Sequence, residues 1–244
     1  RGELVVFTGP TGSGKTTLLS QMSVDFAQQG KPTLWGSFEI KNVRLMSKLL
    51  QQAHKQAPLH ELDADRLERV MTDFEDLPLR FLNFHGATDI DQIISSMEAA
   101  VYEDDVQHII IDNLQFLLPR VAMRSAFEKF EFHDAAIDRF RQFATDHNVN
   151  VVVVIHPRKE EGGARLSLSS ISGSAKATQE ADLVLILQSR NGKTSLDVSK
   201  NRFDGEVGQV QLRFDPQVGS YFEDSQWHAH LRLKEAAGGA GGTG

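Results

Sequence analysis

The segment 9–16, with the sequence GPTGSGKT, constrains the fold of this chain more than any other part of the sequence. It fits the pattern G-x-x-x-x-G-K-[ST] of a phosphate-binding loop. An apolar strand-like run, 4–7, precedes the loop, and a helical stretch, 16–28, follows it. Because a strand, a glycine-rich loop and a helix in this order form one unit of a parallel sheet, the segment predicts an α/β fold.

The residue types of this loop suit the binding of a nucleoside triphosphate such as ATP. Glycines let successive backbone N–H groups point at phosphate oxygens, and the helix adds its positive N-terminal end. Lys15 can reach the terminal phosphates, and the Thr16 hydroxyl can ligate Mg²⁺. The alternative is a glycine-rich turn that matches by chance. The predicted nucleotide contacts are Gly9, Thr11, Gly12, Ser13, Gly14, Lys15, Thr16 and Thr17.

Composition narrows the classes of protein. The chain has 244 residues, of which 40% are hydrophobic, and this is enough for one large α/β domain. It has no cysteine, so disulfides and cysteine-ligated metal sites are excluded. The net charge of −7 argues against a uniformly basic nucleic-acid binder but allows a local basic strip. No apolar run approaches the roughly 20 residues that span a bilayer, so we expect no membrane span.

Strand-like and helical stretches alternate along the first 180 or so residues. In the predicted strand 108–111 and the run 151–155, the apolar residues are continuous rather than alternating, which is typical of parallel strands covered by helices on both faces. Later, short strands joined by turns predict an antiparallel extension of one sheet edge. We predict one domain, residues 1–224, and a largely disordered tail, residues 225–244. The predicted strands are 4–7, 33–38, 79–84, 108–111, 149–155, 183–187, 195–199, 209–214 and 221–222, and the predicted helices are 16–28, 43–53, 62–73, 90–102 and 127–147.

Three candidate residues follow predicted strands, at the edge where doubly wound sheets bind ligands. Asp112 ends HIIID and can hold Mg²⁺ through water opposite Thr16, or it can simply cap a loop. Glu39 ends WGSFE and can orient and deprotonate an attacking water, or it can be a surface residue at a helix start. His156 follows VVVVI and can hydrogen-bond a γ-phosphate, although a lone histidine there is more often structural.

Two basic segments complete the set of candidates. Lys200 and Arg202 belong to KNRFDG at a predicted hairpin end. An arginine there can stabilise a transferring phosphoryl group in a neighbouring subunit, and a solvated turn is the alternative. Residues 157–173 mix basic side chains with glycines and serines, which suits sequence-indifferent binding of the DNA backbone, and an ordinary surface loop is the alternative. The predicted DNA contacts are Arg158, Lys159, Arg165, Ser172 and Gly173.

The ordered motifs GPTGSGKT, GSFE, HIIIDN, VIHPRK, SGSAKATQEAD and KNRFDG resemble those of the RecA-fold hexameric replicative helicases, over about residues 1–222. This group includes bacterial replicative helicases, phage primase-helicases and mitochondrial replicative helicases. The resemblance implies a RecA-like P-loop NTPase core. It also implies that Lys15 and Thr16 bind phosphate and Mg²⁺, that Asp112 coordinates the metal, and that Glu39 is the catalytic base. His156 would sense the γ-phosphate with help from Gln179, and Arg202, with Lys200 beside it, would be an arginine finger for the nucleotide of the next subunit. Arg190 and Phe214 would hold the nucleotide base between them.

The same resemblance implies an activity and partners. The activity is NTP-dependent unwinding of DNA by a homo-oligomeric ring, hexameric or heptameric, that acts on single-stranded and forked DNA. A polymerase and a single-strand-binding protein are the expected replication partners. The implied location is the mitochondrial matrix and nucleoid, with phage or bacterial cytoplasm as the alternative. A RecA-like recombinase, another RecA-fold ATPase without unwinding activity and a nucleotide-gated scaffold remain alternative functions.

Overall fold

A mixed nine-stranded sheet forms the centre of the molecule. The structure is a computed structural model that describes residues 2–84, 89–117, 125–158, 164–171 and 175–227. The strands are β1 (Leu4–Thr8), β2 (Thr33–Ser37), β3 (Leu79–Phe81), β4 (His108–Asp112), β5 (Asn150–Val154), β6 (Leu183–Arg190), β7 (Lys193–Asn201), β8 (Gly208–Asp215) and β9 (Ser220–Glu223). The helices are α1 (Lys15–Gln28), α2 (Asn42–His54), α3 (Ala64–Glu75), α4 (Ile90–Asp104), α5 (Ala126–His147) and α6 (Ala175–Glu180).

The strand order is β3-β2-β4-β5-β1-β6-β7-β8-β9. Strands β1 to β6 are parallel to one another, with β1 between β5 and β6. Strands β6 to β9 run antiparallel. The predicted fold class, a mostly parallel sheet with helices on both faces and an antiparallel C-terminal extension, is therefore confirmed.

Both faces of the parallel strands are buried. Val151 and Val153 of β5 belong to a core cluster with residues of α4 and α5, whereas Val152 and Val154 belong to a second cluster with residues of α1 and α2. Successive side chains of a strand point to opposite faces, so a strand covered on both sides must be apolar at every position. This explains the uninterrupted run of valines.

The last strand, β9, packs against the helix that follows the phosphate-binding loop. The Gln21 side-chain amide donates to the Tyr221 carbonyl at 2.9 Å, and the Tyr221 N–H donates back to Gln21 Oε1 at 2.7 Å. Buried Gln52 of α2 donates to the carbonyl oxygens of Thr17 and Gly219, at 2.9 and 2.8 Å. The antiparallel extension therefore supports the first helix directly.

The structure adds to the predicted elements in two ways. Helix α6 was not predicted, and β6, β7 and β8 are longer than expected because their polar residues continue the ladders. Trp227, at the end of the described chain, packs edge-on against Phe222 at 6.2 Å between ring centroids. Residues 228–244 lie outside the described residues, so the predicted tail stays a prediction.

No helix in the described parts of the chain is long and apolar enough to cross a membrane.

Candidate active site

The phosphate-binding loop connects the carboxyl end of β1 to the N-terminus of α1. Gly12 and Gly14 have φ angles of +76° and +92°, which favour glycine. A Cβ on Gly9 would lie 2.6 Å from the Leu187 carbonyl oxygen, and one on Gly14 would overlap the Tyr221 hydroxyl. The glycines therefore allow both the curvature of the loop and its close contact with β6 and β9.

The Lys15 side chain lies across the loop. Its ammonium group donates hydrogen bonds to the carbonyl oxygens of Gly9 at 2.9 Å and Pro10 at 3.0 Å. Lys15 is buried, and burial lowers the pKa of its ammonium group, although the charges of Asp112 and Glu39 act in the opposite direction. A positive charge is thus held within the loop, close to two carboxylates.

The remaining loop residues differ in exposure. Thr11 and Gly12 are exposed at the tip, whereas Ser13 is buried and its hydroxyl has no hydrogen-bond partner among the described residues. Thr17 lies one residue beyond the loop motif, where its hydroxyl accepts a hydrogen bond from the Lys48 ammonium group at 3.1 Å. The tip is therefore open to a ligand, while the base of the loop is fixed by the helices.

Thr16 and Asp112 form a donor set that fits Mg²⁺. The Thr16 hydroxyl donates to Asp112 Oδ2 at 2.7 Å, whereas the buried Oδ1 has no partner in the described parts of the chain. Burial raises the pKa of Asp112 to about 6; the Glu39 charge adds to this shift, while the Thr16 hydrogen bond and Lys15 oppose it. A hydroxyl and a carboxylate with a free oxygen are hard ligands, and a cation beside them would favour the charged carboxylate.

Side chains at the ends of β2, β4 and β5 meet in one hydrogen-bonded group. The side-chain nitrogen of Asn113, Nδ2, lies 2.7 Å from Glu39 Oε2 and 2.7 Å from His156 Nε2. Glu39 Oε2 and His156 Nε2 are 3.6 Å apart. The N–H groups of Phe38 and Glu39 both donate to the Asp112 carbonyl, at 2.7 and 3.3 Å, which fixes the backbone that carries Glu39. The candidate base and the candidate sensor are thus neighbours.

The surroundings of His156 favour the neutral form of its imidazole. Burial lowers its pKa, the positive charge of Lys15 lowers it further, and Glu39 raises it. A neutral imidazole has one nitrogen that accepts hydrogen bonds and one that donates them. His156 can therefore respond to a nearby phosphate through a hydrogen bond rather than through a fixed charge.

Asn113 and Gln115 belong to this group, although neither was a predicted site residue. The Gln115 N–H donates to Asn113 Oδ1 at 3.1 Å, and Gln115 Oε1 accepts the His156 N–H at 3.2 Å. The available signal was position, since both residues closely follow Asp112 in DNLQF at the ligand-binding edge. Their hydrogen bonds to the end of β5 could not be read from the sequence.

Phe214 and Arg190 lie at the same end of the antiparallel extension. The Phe214 ring, 43% exposed, is tilted against Tyr221 at 5.1 Å between centroids, and the Tyr221 hydroxyl donates to the Ser13 carbonyl at 3.0 Å. Arg190 ends β6 opposite Lys193 and is exposed. The structure thus links Phe214 to the loop through the Tyr221 ring. Arg190 ends β6, which lies next to β1 and two strands away from β8, the strand of Phe214.

Lys200 and Arg202 lie at the opposite edge of the sheet. We call this edge, where the parallel strands begin, the amino edge, and the edge where they end and the loop lies the carboxyl edge. Val5 pairs with Leu183, and Leu183 pairs with Asn201, so the end of β7 that carries the two basic residues lies beside the amino end of β1. The four residues from Val5 to the loop at Gly9 rise about 13 Å. Neither basic residue can therefore contribute to the loop of its own chain without a large rearrangement.

The two basic side chains bind within their own chain. The Arg202 guanidinium donates to Asp182 Oδ1 at 3.2 Å and to the Gln179 carbonyl at 2.6 Å. The Lys200 ammonium group donates to the carbonyl oxygens of Thr178 and Gln179, at 2.6 and 3.0 Å. Gln179 thus lies beside Arg202 and not beside His156, because α6 carries it back toward the amino edge.

Only part of the predicted DNA-binding loop is described. Lys159, Ser172 and Gly173 lie outside the described residues. Arg158 is exposed, and its N–H donates to the Ser170 carbonyl at 2.7 Å. Arg165 is engaged instead by the buried Asp197, whose Oδ2 accepts from Arg165 Nε at 3.2 Å and from a terminal guanidinium nitrogen at 2.9 Å. Arg165 therefore pairs with a buried carboxylate of its own chain, which differs from its predicted role as a DNA contact.

The fold and the site together define the class of the protein. The site combines a strand, a phosphate-binding loop and a helix with an aspartate at the end of β4, two strands away from β1, and a glutamate after β2, within a RecA-like sheet. This is a P-loop nucleotide-binding domain of RecA-like fold. The chain belongs to the AAA_25 family of AAA domains, whose family model matches residues 1–162.

Solved structures share the fold over most of the chain. One of them, an ATPase domain, is similar with a TM-score of 0.77 at 18% identity, and the match covers 90% of this chain and 84% of that domain. A DnaB-like replicative helicase, solved with its interactions with primase, has the same TM-score and identity; the match covers 91% of this chain and 58% of the helicase. A KaiC-like protein from Pyrococcus horikoshii has a TM-score of 0.63 at 15% identity, covering 91% and 89%.

Proposed function

We propose that this domain is the motor of an ATP-dependent replicative DNA helicase, which hydrolyses ATP or another NTP between the subunits of a ring. One observation carries the proposal. The candidate base, metal ligands and phosphate-binding loop share one edge of the sheet, whereas Lys200 and Arg202 lie at the other. A site that uses all of them needs two copies of the chain.

Within one subunit, the residues have distinct tasks. The loop N–H groups and Lys15 bind the phosphates, and Thr16 and Asp112 hold Mg²⁺, which neutralises phosphate charge when it is bound. Glu39, at the exposed end of its hydrogen-bonded group, orients the attacking water and accepts its proton. His156 offers a neutral imidazole to the γ-phosphate. Phe214 and Arg190 hold the base from the side of the antiparallel extension.

The neighbouring subunit completes the site. Arg202 leaves Asp182 and Gln179, its partners within the chain, and its guanidinium stabilises the charge of the transferring phosphoryl group, with Lys200 beside it. An interface that joins the amino edge of one copy to the carboxyl edge of the next is head-to-tail. Such an interface closes into a ring when the rotation allows it, and we propose six or seven subunits.

Single-stranded DNA is the proposed track of this motor. The loop 157–173 begins directly after His156, so a change at the γ-phosphate is transmitted to the loop without an intervening element. Arg158 and Lys159, with Ser172 and Gly173, would bind the phosphate backbone. Arg165 has a smaller part in this proposal because Asp197 holds it.

A finer resemblance supports a particular cellular role. The segments WGSFEI, NVRL, DNLQF, VIHPRKE, GSAKA, QEAD and SKNRFDG resemble Twinkle, the mitochondrial replicative DNA helicase. On this basis we propose forked DNA as the substrate, the nucleoid of the mitochondrial matrix as the location, and a polymerase and a single-strand-binding protein as partners. A phage or bacterial cytoplasmic helicase is the alternative.

A second function is favoured by the similarity to the KaiC-like protein, which covers as much of this chain as the helicase does. On this hypothesis, the domain is a RecA-fold ATPase without unwinding activity, such as a recombinase or a clock-type ATPase. Such a protein would share the loop, the base and the metal ligands.

Electron microscopy and an unwinding assay separate the two functions. The protein is mixed with a non-hydrolysable ATP analogue and single-stranded DNA and imaged, and ATP-dependent displacement is measured on a forked duplex. A helicase gives closed rings, turnover stimulated by single-stranded DNA, and strand displacement. Filaments, or turnover without displacement by assembled rings, would support the second function instead.

A further inference from the structure

We propose that Asn113 is a positioning residue for hydrolysis. Its side-chain amide keeps Glu39 and His156 apart and holds both in fixed positions, so that Glu39 stays available to water. The proposal rests on the proposed function to the extent that Glu39 acts as the base and His156 as the sensor. It adds a residue that joins the two, together with Gln115, which fixes the orientation of the Asn113 amide.

The orientation of the amide follows from its partners. The Gln115 N–H can only donate, and it lies 3.1 Å from Asn113 Oδ1. The carbonyl oxygen of the amide must therefore face Gln115, and the nitrogen must face Glu39 and His156. An amide nitrogen carries two hydrogens, and here each one has an acceptor at 2.7 Å. Both hydrogens and the oxygen of the Asn113 amide are thus used.

This arrangement decides which nitrogen of His156 carries the proton. Because Asn113 donates to Nε2, the neutral imidazole carries its proton on Nδ1. Nε2 is also 3.6 Å from Glu39 Oε2, so without Asn113 the imidazole can carry its proton on Nε2 and donate it to the carboxylate. That direct bond would occupy Glu39 and turn it away from water. Asn113 therefore acts as a spacer between the base and the sensor.

Burial and backbone contacts make the spacer rigid. Asn113 is fully buried, at 0% exposure, whereas Glu39 is exposed and needs an anchor to hold one position. Gln115 also accepts the backbone N–H of His156 at 3.2 Å, so the ends of β4 and β5 are tied at two points. Positioning matters because a displacement of about 1 Å can reduce a rate about 100-fold.

The test combines kinetics with imidazole spectroscopy on the intact domain. For Asn113→Ala we expect kcat to fall about 100-fold, while the Kd for a fluorescent ATP analogue changes less than about threefold. Asn150→Ala, an amide at the amino edge of β5, is the matched control and should leave kcat unchanged. In the His156→Ala background, the effect of Asn113→Ala should shrink to less than about tenfold, because no imidazole remains to bind Glu39.

Nitrogen-15 NMR of the His156 ring supplies a readout that does not depend on turnover. The wild type should carry its proton on Nδ1, and Asn113→Ala should move it to Nε2. If Asn113→Ala does not fold, Asn113→Leu tests the same idea, because leucine keeps the volume of the side chain and removes both N–H donors; it should give the same change of tautomer and a loss of kcat of about 100-fold.

The outcomes separate this proposal from the proposed function. An unchanged kcat, a full effect in the His156→Ala background, or an unchanged tautomer would overturn the role of Asn113. If the wild type hydrolyses ATP without unwinding DNA, the helicase proposal fails and the kinetic test still decides on Asn113. If the wild type binds nucleotide without turnover, the hydrolysis proposal fails, and the tautomer measurement decides whether Asn113 sets the imidazole.

Discussion

Two aspartates, one at each edge of the sheet, show how the edges differ. Asp182, at the amino edge, accepts hydrogen bonds from Arg202, from Arg141 and from the Leu4 N–H, at 3.2 Å for Arg202 and 3.0 Å for Leu4. Asp112, at the carboxyl edge, has one side-chain partner, Thr16, and a buried oxygen with none among the described residues. Asp182 is thus ion-paired with two arginines, whereas the lysine near Asp112, Lys15, donates its hydrogen bonds to backbone carbonyl oxygens instead.

This difference indicates what each edge is built to meet. A buried carboxylate with an oxygen that accepts no hydrogen bond favours a cation, whereas basic side chains held by a carboxylate and by backbone carbonyl oxygens can exchange these partners for phosphate oxygens. On the proposed function, the carboxyl edge binds Mg²⁺ and phosphates, and the amino edge meets the phosphates of another copy. The following predictions test this division, beginning with the largest expected effect.

Arg202→Ala should reduce ATP turnover about 1,000-fold, because an arginine finger stabilises the transition state by that order of magnitude. Nucleotide binding to the isolated subunit should be unchanged, since Arg202 lies far from the loop of its own chain. Arg213→Ala is the matched control, because both guanidinium side chains are half exposed and bind an aspartate. Equal losses in the two variants would remove Arg202 from the site. Doping Arg202→Ala subunits into active protein should depress turnover more than in proportion.

Glu39→Gln should lose turnover by roughly several hundred-fold and keep nucleotide affinity, since a general base contributes by this order of magnitude. Near-normal hydrolysis would exclude Glu39 as the base.

Mixing the Glu39→Gln variant with the Arg202→Ala variant tests whether one site uses both edges. In a randomly mixed ring, about a quarter of the interfaces combine an intact carboxyl edge with an intact amino edge. Recovery of turnover to about that fraction is expected, whereas a site within one chain would give none.

The two aspartates should respond in opposite directions when neutralised, in the absence of nucleotide and Mg²⁺. Asp112 has a raised pKa of about 6, so the folded state loses stability as the pH rises from about 4 through 6. Asp112→Asn removes this cost and should stabilise the protein above pH 6 by about 3 kcal/mol, with no gain at pH 4. Asp182→Asn should destabilise it by about 2 kcal/mol, because charged hydrogen bonds are lost.

Urea unfolding between pH 4 and 8 measures both effects. A stabilisation by Asp112→Asn that does not depend on pH would have another cause. A loss of stability in both variants would mean that the two carboxylates are compensated alike, and the contrast between the edges would fail.

Tyr221→Phe should have the smallest effect. It removes the hydrogen bond from the Tyr221 hydroxyl to the Ser13 carbonyl and keeps the ring against Phe214. We expect a loss of about 1 kcal/mol in stability and a weakening of nucleotide binding of about fivefold. Calorimetric titration with an ATP analogue measures the affinity, and Tyr102→Phe, whose ring is 92% exposed, is the control. Unchanged binding would show that β9 does not shape the loop.

Hydrophobic periodicity and the loop motif were sufficient for most of the fold. The predicted helix 16–28 and strand 108–111 match α1 and β4 to within one residue, because buried apolar faces set these elements. Helix α6 was missed since its six residues, AKATQE, contain a single buried apolar side chain, Ala177. Short polar helices depend on their tertiary contacts, which the sequence does not display.

The site was predictable where the chemistry lies within one segment, and not where it depends on contacts between segments. Glu39, Asp112 and His156 each end or follow a strand, and the structure brings them to one edge with Lys15. Asn113 was overlooked because its role depends on two acceptors, 74 and 43 positions away along the chain. The pairing of Arg202 with Asp182 was equally invisible from the sequence.

The hydrogen bond between Tyr221 and Ser13 spans 208 positions of the chain. During synthesis, the segment that becomes α1 therefore leaves the ribosome long before the strand that supports it. At a typical rate of about 10 residues per second, the loop would exist for about 20 s before β9 is made. Until then the loop lacks its hydrogen bond to Tyr221, so we expect the domain to reach its full affinity for nucleotide only after the last strand has been added. The loop is thus synthesised early, and its last supporting hydrogen bond forms late.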